Sequence, residues 1–454
     1  MLPVSSEIPL FFFTHTSWEQ KITKNLYPPG EAGKGFRGRQ HLISYIHKVG
    51  FKNMGLCRGY TSFYNKNTME IAKLYFPSKY FIGPGVLEKG LRECPLLGNK
   101  AIILTGKKWA IESGTRDKVA DLLRKYGVEV NFLSGISPNP DHTEIDKLAH
   151  QVQKISPDFL VALGGGSVMD ATKAISLVAR TVGKIWDFIV NRPKNIKAYP
   201  IVAIPTVAAS GSEFDGAAVV NNRALRAKMP IGYQELVPKI SIVDPELHTS
   251  LSSYQTAIGC VDIFCQFFEP YIMGKGEFPM SEHISLMGMK RVVEICPEVL
   301  KNPKNVDLRG ELAYLASLSM SGLGRVGRGG KFSMHWLEHV LSGHYPEIPH
   351  AQGLASLLVS YTKFFVDRKP DVYKRITKTL VNSDNAADLP DFLDKWLNEI
   401  GVAKSLSELG VTTDSIEKMA NDVIRYYGWE PGKLVSAPIP MNRNDIVKIY
   451  KMAF

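Results

Sequence analysis

The sequence predicts an α/β domain built on a parallel sheet, followed by an all-α domain. Three observations carry this. Up to residue 247 short apolar runs alternate with stretches of helical spacing, in the order β-α-β-α-β. Past 248 the strand signals fade and helical spacing continues to the C-terminus. The chain has 454 residues, more than one hydrophobic core holds. The expected division is an extension over 1–68, an α/β domain over 69–247 and a helical domain over 248–454.

The elements follow in order. KAIILTG (100–106) is a continuous apolar run, the pattern of a strand buried on both faces. SGTRDKVADLLRKYG (113–127) has helical spacing and stops at a glycine. VEVNFL (128–133) is a second strand, HTEIDKLAHQVQKIS (142–156) a second helix and DFLVALGGG (158–166) a third strand that runs into a glycine turn. Strands joined through helices pair in parallel, with helices on both faces of the sheet. Ligands of such sheets bind beyond the carboxyl ends of the strands.

The glycine turn is the first candidate site. Gly164, Gly165, Gly166 and Ser167 follow a strand and precede the helix of VMDATKAISLVAR. Without side chains the backbone can approach a pyrophosphate, and the free N–H groups of the helix start point at it. Three glycines also make ordinary tight turns, so the surrounding order matters. The next strand, PIVAIP, leads into PTVAASGSE (205–213), which offers the Thr206, Ser210 and Ser212 hydroxyls to a phosphate or a nicotinamide. SPNP (137–140), with Asn139, ends another strand on the same edge.

The second candidate site lies in the helical half. In GCVDIFCQFFEPYI (259–272), Asp262 and Gln266 are four residues apart and share a helix face. In MHWLEHVLSGHYPEIPH (334–350), His335 and His339 are also four apart, and His344 and His350 follow. Four of the eleven histidines thus fall within sixteen residues. A single histidine of this kind is usually a satisfied polar residue. Four near a carboxylate suggest a metal centre with an open coordination position.

Composition excludes several classes. The net charge of +11 suggests a nucleic-acid partner, but residues 1–68 hold nine Lys or Arg against three Glu. The remaining +5 is dispersed and forms no basic stripe. The five cysteines, Cys57, Cys94, Cys260, Cys265 and Cys296, contain no C-x-x-C pair, which fits a reduced, cytoplasmic protein. No apolar run reaches the ~18 residues of a membrane helix. The start, MLPVSSEIPLFFF, lacks a basic region and a cleavage site of the secretory kind.

Taken together, YFIGPGVLEKG, SPNP, GGGSVMDATK, PTVAASGSE, Lys228, VDPEL, GCVDIFCQFFEPYI, PHAQGLA and PMNRNDIVKIYKMAF resemble the iron-dependent (group III) alcohol dehydrogenase family. The likeness runs from about Leu74 to the C-terminus and is nearest to the butanol-dehydrogenase-like branch of broad aldehyde reductases. The resemblance implies the dehydroquinate synthase-like fold, in which an α/β nucleotide-binding domain meets a helical domain. The active site would lie in the cleft between them, and the assembly would be a homodimer. Residues 1–68 lie outside the match. They read as a transit peptide, a small added element or disordered upstream sequence, with Met69 as the natural start.

The family's metal ligands, Asp, His, His and His, map onto Asp262, Gln266, His335 and His350. Gln266 stands where the family has histidine. A carboxamide oxygen can ligate Fe²⁺, or Zn²⁺ in its place, but it is a weaker donor than imidazole. The spacing from His335 to His350 is one residue longer than the branch's pattern, which brings His344 forward as a substitute ligand. The implied reaction is hydride transfer between NAD(P)H and an aldehyde or primary alcohol. His339 is the candidate proton relay. The cofactor residues expected are Gly106, Lys107, Asn139, Gly165, Gly166, Ser167, Asp170, Thr206, Ser210 and Lys228. LTGKKW (104–109) places two cations and no carboxylate after the first family strand, which favours NADP over NAD. Two alternatives stay open. One is a metal-free cofactor-binding homologue. The other is a dehydroquinate synthase-type lyase, for which Arg325, Arg328 and Lys331 would supply a basic pocket.

Overall fold

The structure, a computed structural model, describes residue 72 and residues 74–454, apart from 182, 276, 277, 429 and 431. The expectations for residues 1–68, the Met69 boundary and Cys57 lie outside the described residues.

Among the described residues eight strands occupy the first half: β1 (Lys79–Ile82), β2 (Lys100–Gly106), β3 (Glu129–Ile136), β4 (Phe159–Gly164), β5 (Ile201–Pro205), β6 (Ala217–Asn222), β7 (Ala227–Gly232) and β8 (Ile240–Val243). Six of them form one sheet in the order β1-β8-β5-β4-β2-β3. Every pairing in it is parallel. The connection after β2 leads outward to β3, and the connection after β4 leads the other way to β5. The chain therefore changes direction between β2 and β4, and a crevice opens there at the carboxyl edge. β6 and β7 leave the sheet and pair antiparallel with each other, an excursion the strand pattern did not reveal.

Alternation along β2 explains the two cores of this half. Ile102 and Leu104 pack under the helices His142–Ile155 and Gly166–Arg180. Ile103 faces the other way, against Leu87, Leu91, Val119 and Leu123. Covering on both faces is the reason the strands read as unbroken apolar runs.

From Ser253 onward the chain is helical, as expected, except for two-residue strands at Lys433–Leu434 and Met441–Asn442. That small pair corrects the all-α reading. It sits just ahead of the last helix, Arg443–Ala453, whose start is closed by an Asn442–Asp445 capping box. The four described cysteines are buried and unpaired. No helix among the described residues is long and apolar enough to cross a membrane.

One helix joins the halves. Ser253–Met273 begins at a Ser252–Gln255 capping box and is buried from Thr256 to Ile272. Phe264 and Phe268 face Trp396 and Tyr373 in the helical core. At Gly259 the helix lies against the loop after β5. A Cβ there would come within 2.6 Å of the Ala208 carbonyl oxygen, so only glycine permits this approach. Asp262 stands one turn farther on. We therefore expect Gly259→Val to destabilise the protein by about 1–3 kcal/mol, the usual cost of overpacking against backbone. Thermal unfolding measures the loss. A melting temperature equal to wild type would show that the helix and loop can separate freely.

Candidate active site

A cavity of about 320 Å³ lies between the carboxyl edge of the sheet and the helical half. The sheet side contributes Asn139, Gly166, Ser167, Asp170, Ser210 and Lys228. The helical side contributes Asp262, Gln266, Phe332, His335, Trp336, His339 and His350. The two candidate sites of the sequence are thus one site.

On the sheet side the glycine turn lies where expected. Gly165 precedes the helix Gly166–Arg180 without a side-chain cap, so the first N–H groups keep no such partner. A Cβ on Gly166 would lie 2.7 Å from the Ser210 hydroxyl, so glycine is what lets the two loops close on each other. Asn139 has φ +50°, and its Nδ2 donates to the Pro346 carbonyl, tying the β3 loop to the helical half. Gly106 ends β2 and Lys107 follows it on the same edge, with Lys107 exposed. Thr206 is buried and its N–H donates to the Gly164 carbonyl. Gly106, Lys107, Gly165 and Thr206 do not line the cavity.

Asp170 has a different surrounding from a simple ligand contact. It accepts from the Ser212 hydroxyl at 2.8 Å and from the Val219 N–H at 3.0 Å. Burial outweighs these partners and pushes its pKa up to about 6. Lys173, 1% exposed, donates to Ser212, Asp215 and the Ala217 carbonyl. This buried network fastens the polar loop and the start of β6 to the glycine-turn helix.

On the helical side Asp262, His335 and His350 converge. One donor atom from each lies within 4.8 Å of the other two. His335 Nε2 is 3.6 Å from Asp262 Oδ1. Two ligands each about 2.1 Å from one tetrahedral ion would stand roughly 3.4 Å apart, so the spacing suits Fe²⁺ or Zn²⁺. Each imidazole is turned by a buried glutamate. His335 Nδ1 bonds Glu269, and His350 Nδ1 bonds Glu338. Both rings therefore keep Nε2 for an ion, an arrangement typical of metal-binding histidines. Burial opposes charge on His335, but Glu269 and Asp262 outweigh it and push its pKa up to about 10. Burial likewise opposes charge on Glu338, yet His350 and Lys228 bring it down to about 2. The donor set fits a divalent metal.

Gln266 does not offer its oxygen to the same point. Its Nε2 donates to Asp262 Oδ1 at 2.9 Å, and its Oε1 accepts from the Ser319 hydroxyl at 2.5 Å. Ser319 also has the Ala316 carbonyl at 2.7 Å. A hydroxyl has one proton and can serve only one of these acceptors.

His339 Nδ1 is 3.0 Å from the Tyr427 hydroxyl, which donates to the Lys228 carbonyl. With that proton committed, Nδ1–H donates to Tyr427 and Nε2 is left as the acceptor. Burial, followed by the charges of Lys228, His350 and His335, holds His339 well below the usual histidine range. Lys228 Nζ lies 3.6 Å from Glu338, so its charge is paired inside the site. His344 is a correction: it bonds Asp422 at 2.8 Å and does not line the cavity. Arg325, Arg328 and Lys331 do not line it either. Arg325 stacks on Phe332, and Arg328 bonds the Tyr271 carbonyl.

The sequence reading missed Glu269 and Glu338. Their signal was present. Glu269 is seven residues after Asp262, on the same helix face, and Glu338 is three after His335. Glu269 also accepts from the Ser333 and Met334 N–H groups at 2.7 and 2.6 Å, which caps the helix Met334–His344.

Comparison with known proteins places this geometry. The profile of iron-containing alcohol dehydrogenases matches residues 77–245, and that of the family's C-terminal part matches 256–454. NADH-dependent butanol dehydrogenase A of Clostridium acetobutylicum is 28% identical, covering 83% of this chain and 98% of that one. The crystal structure of NADH-dependent butanol dehydrogenase A from Thermotoga maritima superposes with a TM-score of 0.81 at 28% identity, covering 85% and 99%. The E. coli aldehyde reductase in its substrate- and cofactor-free form gives 0.75 at 25% identity, covering 86% and 100%.

Glu269→Gln should lower metal affinity by about tenfold or more, because the carboxylate both turns His335 and raises its donor strength. Titration with Fe²⁺ or Zn²⁺, followed by metal content per chain, reads this directly. Affinity equal to wild type would remove Glu269 from the metal site.

Proposed function

The chain belongs to the iron-containing alcohol dehydrogenase family, and from that premise we propose that it interconverts an aldehyde and its primary alcohol with a nicotinamide cofactor, holding a divalent iron on Asp262, His335 and His350. The observation that carries the proposal is the convergence of these donors and the glycine-turn edge on one cavity. When bound, the iron polarises the substrate oxygen and the nicotinamide exchanges a hydride with the carbonyl carbon.

The chain's own groups do the rest. The helix start at Gly166 and the Ser167 and Ser210 hydroxyls hold the cofactor's phosphates. The Asp170–Lys173–Ser212 network keeps that loop in place. Phe332 and Trp336 wall the reacting end and limit water. His339, neutral with Nε2 as acceptor, takes the hydroxyl proton in the oxidative direction and returns one in the reductive direction. The family resemblance further implies a homodimer, which sedimentation velocity tests.

Gln266 completes the metal site by turning its amide. With the Ser319 proton given to Ala316, Ser319 Oγ accepts from the Gln266 amide N–H, and Oε1 faces Asp262. In that orientation Gln266 would join Asp262, His335 and His350 in holding the ion. This fourth donor is neutral and weaker than imidazole, so the ion is held loosely.

For the cofactor, the relatives that name one name NADH or NAD. This chain has Gly106, Lys107 and Lys108 after β2 and no carboxylate to reject a 2′-phosphate. We read it as preferring NADPH. A panel of aldehydes with NADPH and NADH, each with added Fe²⁺ or Zn²⁺, tests the whole proposal. An enzyme fully active without metal would sink it.

Two variants sharpen the test. Gln266→His should raise metal retained after dialysis and slow inactivation by a chelator, whereas His350→Ala should abolish both metal and turnover. Equal retention in wild type and Gln266→His would exclude position 266 from coordination. Gly106→Asp should shift kcat/KM from NADPH toward NADH. A Cβ at Gly106 meets nothing closer than 3.8 Å, so the variant has room to fold. An unchanged ratio would mean that this loop does not reach the ribose.

A further inference from the structure

Tyr427 is the last residue of the helix Thr413–Tyr427. It meets His339 from outside the catalytic cavity, which His339 lines and Tyr427 does not. Two pairs join this helix to Met334–His344: His339 with Tyr427, and His344 with Asp422. Five residues separate the two histidines, and five separate their partners in the opposite chain direction. Both pairs therefore fit one antiparallel packing of the two helices. The buried phenol ring is held in place. It lies flat on Trp336, with centroids 4.7 Å apart and planes 9° apart, and Trp336 meets the His339 ring edge-on at 5.4 Å.

The hydrogen bonds fix where the protons are. A carbonyl oxygen only accepts, so Tyr427 gives its one proton to Lys228. In the β6–β7 hairpin Lys228 lies opposite Asn221, whose N–H turns away to the Pro140 carbonyl. That N–H is not available to the Lys228 carbonyl, which takes the phenol instead. The phenol oxygen then offers only lone pairs to His339, 3.0 Å away, and Nδ1 is the nitrogen that carries the hydrogen. Burial, then the charge of Glu338, holds the phenol well above the usual tyrosine range, so it stays a donor. The side chain of Lys228 pairs with Glu338, which turns His350. One residue of the hairpin thus orders both histidines, one through its carbonyl and one through its ammonium.

We propose that Tyr427 is a positioning residue for the proton transfer: by holding the His339 hydrogen on Nδ1, it keeps Nε2 bare as the atom that takes the alcohol's hydroxyl proton. The inference rests on the aldehyde–alcohol reading above. A neutral imidazole with no fixed partner exchanges its hydrogen between the two nitrogens. The form with hydrogen on Nε2 presents a donor where the oxidative step requires an acceptor. Tyr427 lines no part of the catalytic cavity and acts through His339 alone.

Tyr427→Phe removes the hydroxyl and keeps the ring on Trp336. With 1-butanol as substrate, kcat should fall about tenfold and KM should stay within about twofold, because the base acts only in the transfer step. His339→Gln should lower kcat about a hundredfold. The double variant should be no slower than His339→Gln within about twofold, since residues that act as a unit do not add. Nitrogen-15 resonances of the imidazoles give a readout without turnover. They are recorded above neutral pH on the full-length protein with added Zn²⁺, and the His339 signals are those lost in His339→Gln. Wild type should carry the hydrogen on Nδ1, and Tyr427→Phe should shift it toward Nε2. Hydrogen on Nε2 in wild type, an unchanged distribution in Tyr427→Phe, or losses that multiply in the double variant would overturn the assignment. If no alcohol is oxidised, the catalytic reading fails by itself, and the imidazole signals still decide whether Tyr427 holds the proton.

Discussion

The catalytic half depends on one buried carboxylate. Glu269 is 0% exposed, a position in which a charge is costly unless every lone pair is used. It is used fully. Oε2 takes the N–H groups that open the helix Met334–His344, and Oε1 takes the imidazole of the first histidine on that helix. One side chain therefore starts a helix, docks it on a second helix and chooses which nitrogen of His335 faces the cavity. Glu338 repeats the arrangement for His350 and adds the Lys228 ion pair, which ties the β6–β7 hairpin to the same point.

The sheet side uses buried charge differently. Ser212 joins Asp170 to Lys173, and Lys173 bonds Asp215 directly. The loop is held by polar groups rather than by a core of its own, which is why it can remain open to a ligand. Gly259 brings the helix that carries Asp262 onto this loop. The glycine-turn edge and Asp262 are thus spaced by backbone contact and not by flexible side chains, as the proposed positioning of two reactants requires.

Gln266 occupies the place where the family resemblance implies an imidazole. An imidazole at this place would need a partner for its second nitrogen. The amide instead divides its two ends between Asp262 and Ser319, and it satisfies the carboxylate when no ion is near. Both ends of the amide are thereby paired; in the proposed site this residue would be a weaker donor than imidazole.

Much of this was legible in the sequence because it depends on local periodicity. The unbroken apolar runs of β2, β4 and β5 follow from burial on both faces, and the glycine turn follows from its place between a strand and a helix. The four-residue spacing of Asp262 with Gln266, and of His335 with His339, placed each pair on one helix face. Other features depend on contacts distant in sequence, and spacing carries no trace of them. The β6–β7 hairpin is fixed beside the glycine-turn helix because Asp170, 49 residues earlier, takes the Val219 N–H. His344 turns out of the site because Asp422, 78 residues later, is there to pair with it. Glu269 and Glu338 were visible as acids at helical spacing, but their task is defined by histidines on other segments. Residue types and periods determined the elements and the chemistry available. Only the tertiary packing decided which donors converge, because that depends on how far apart helices from separate parts of the chain come to rest.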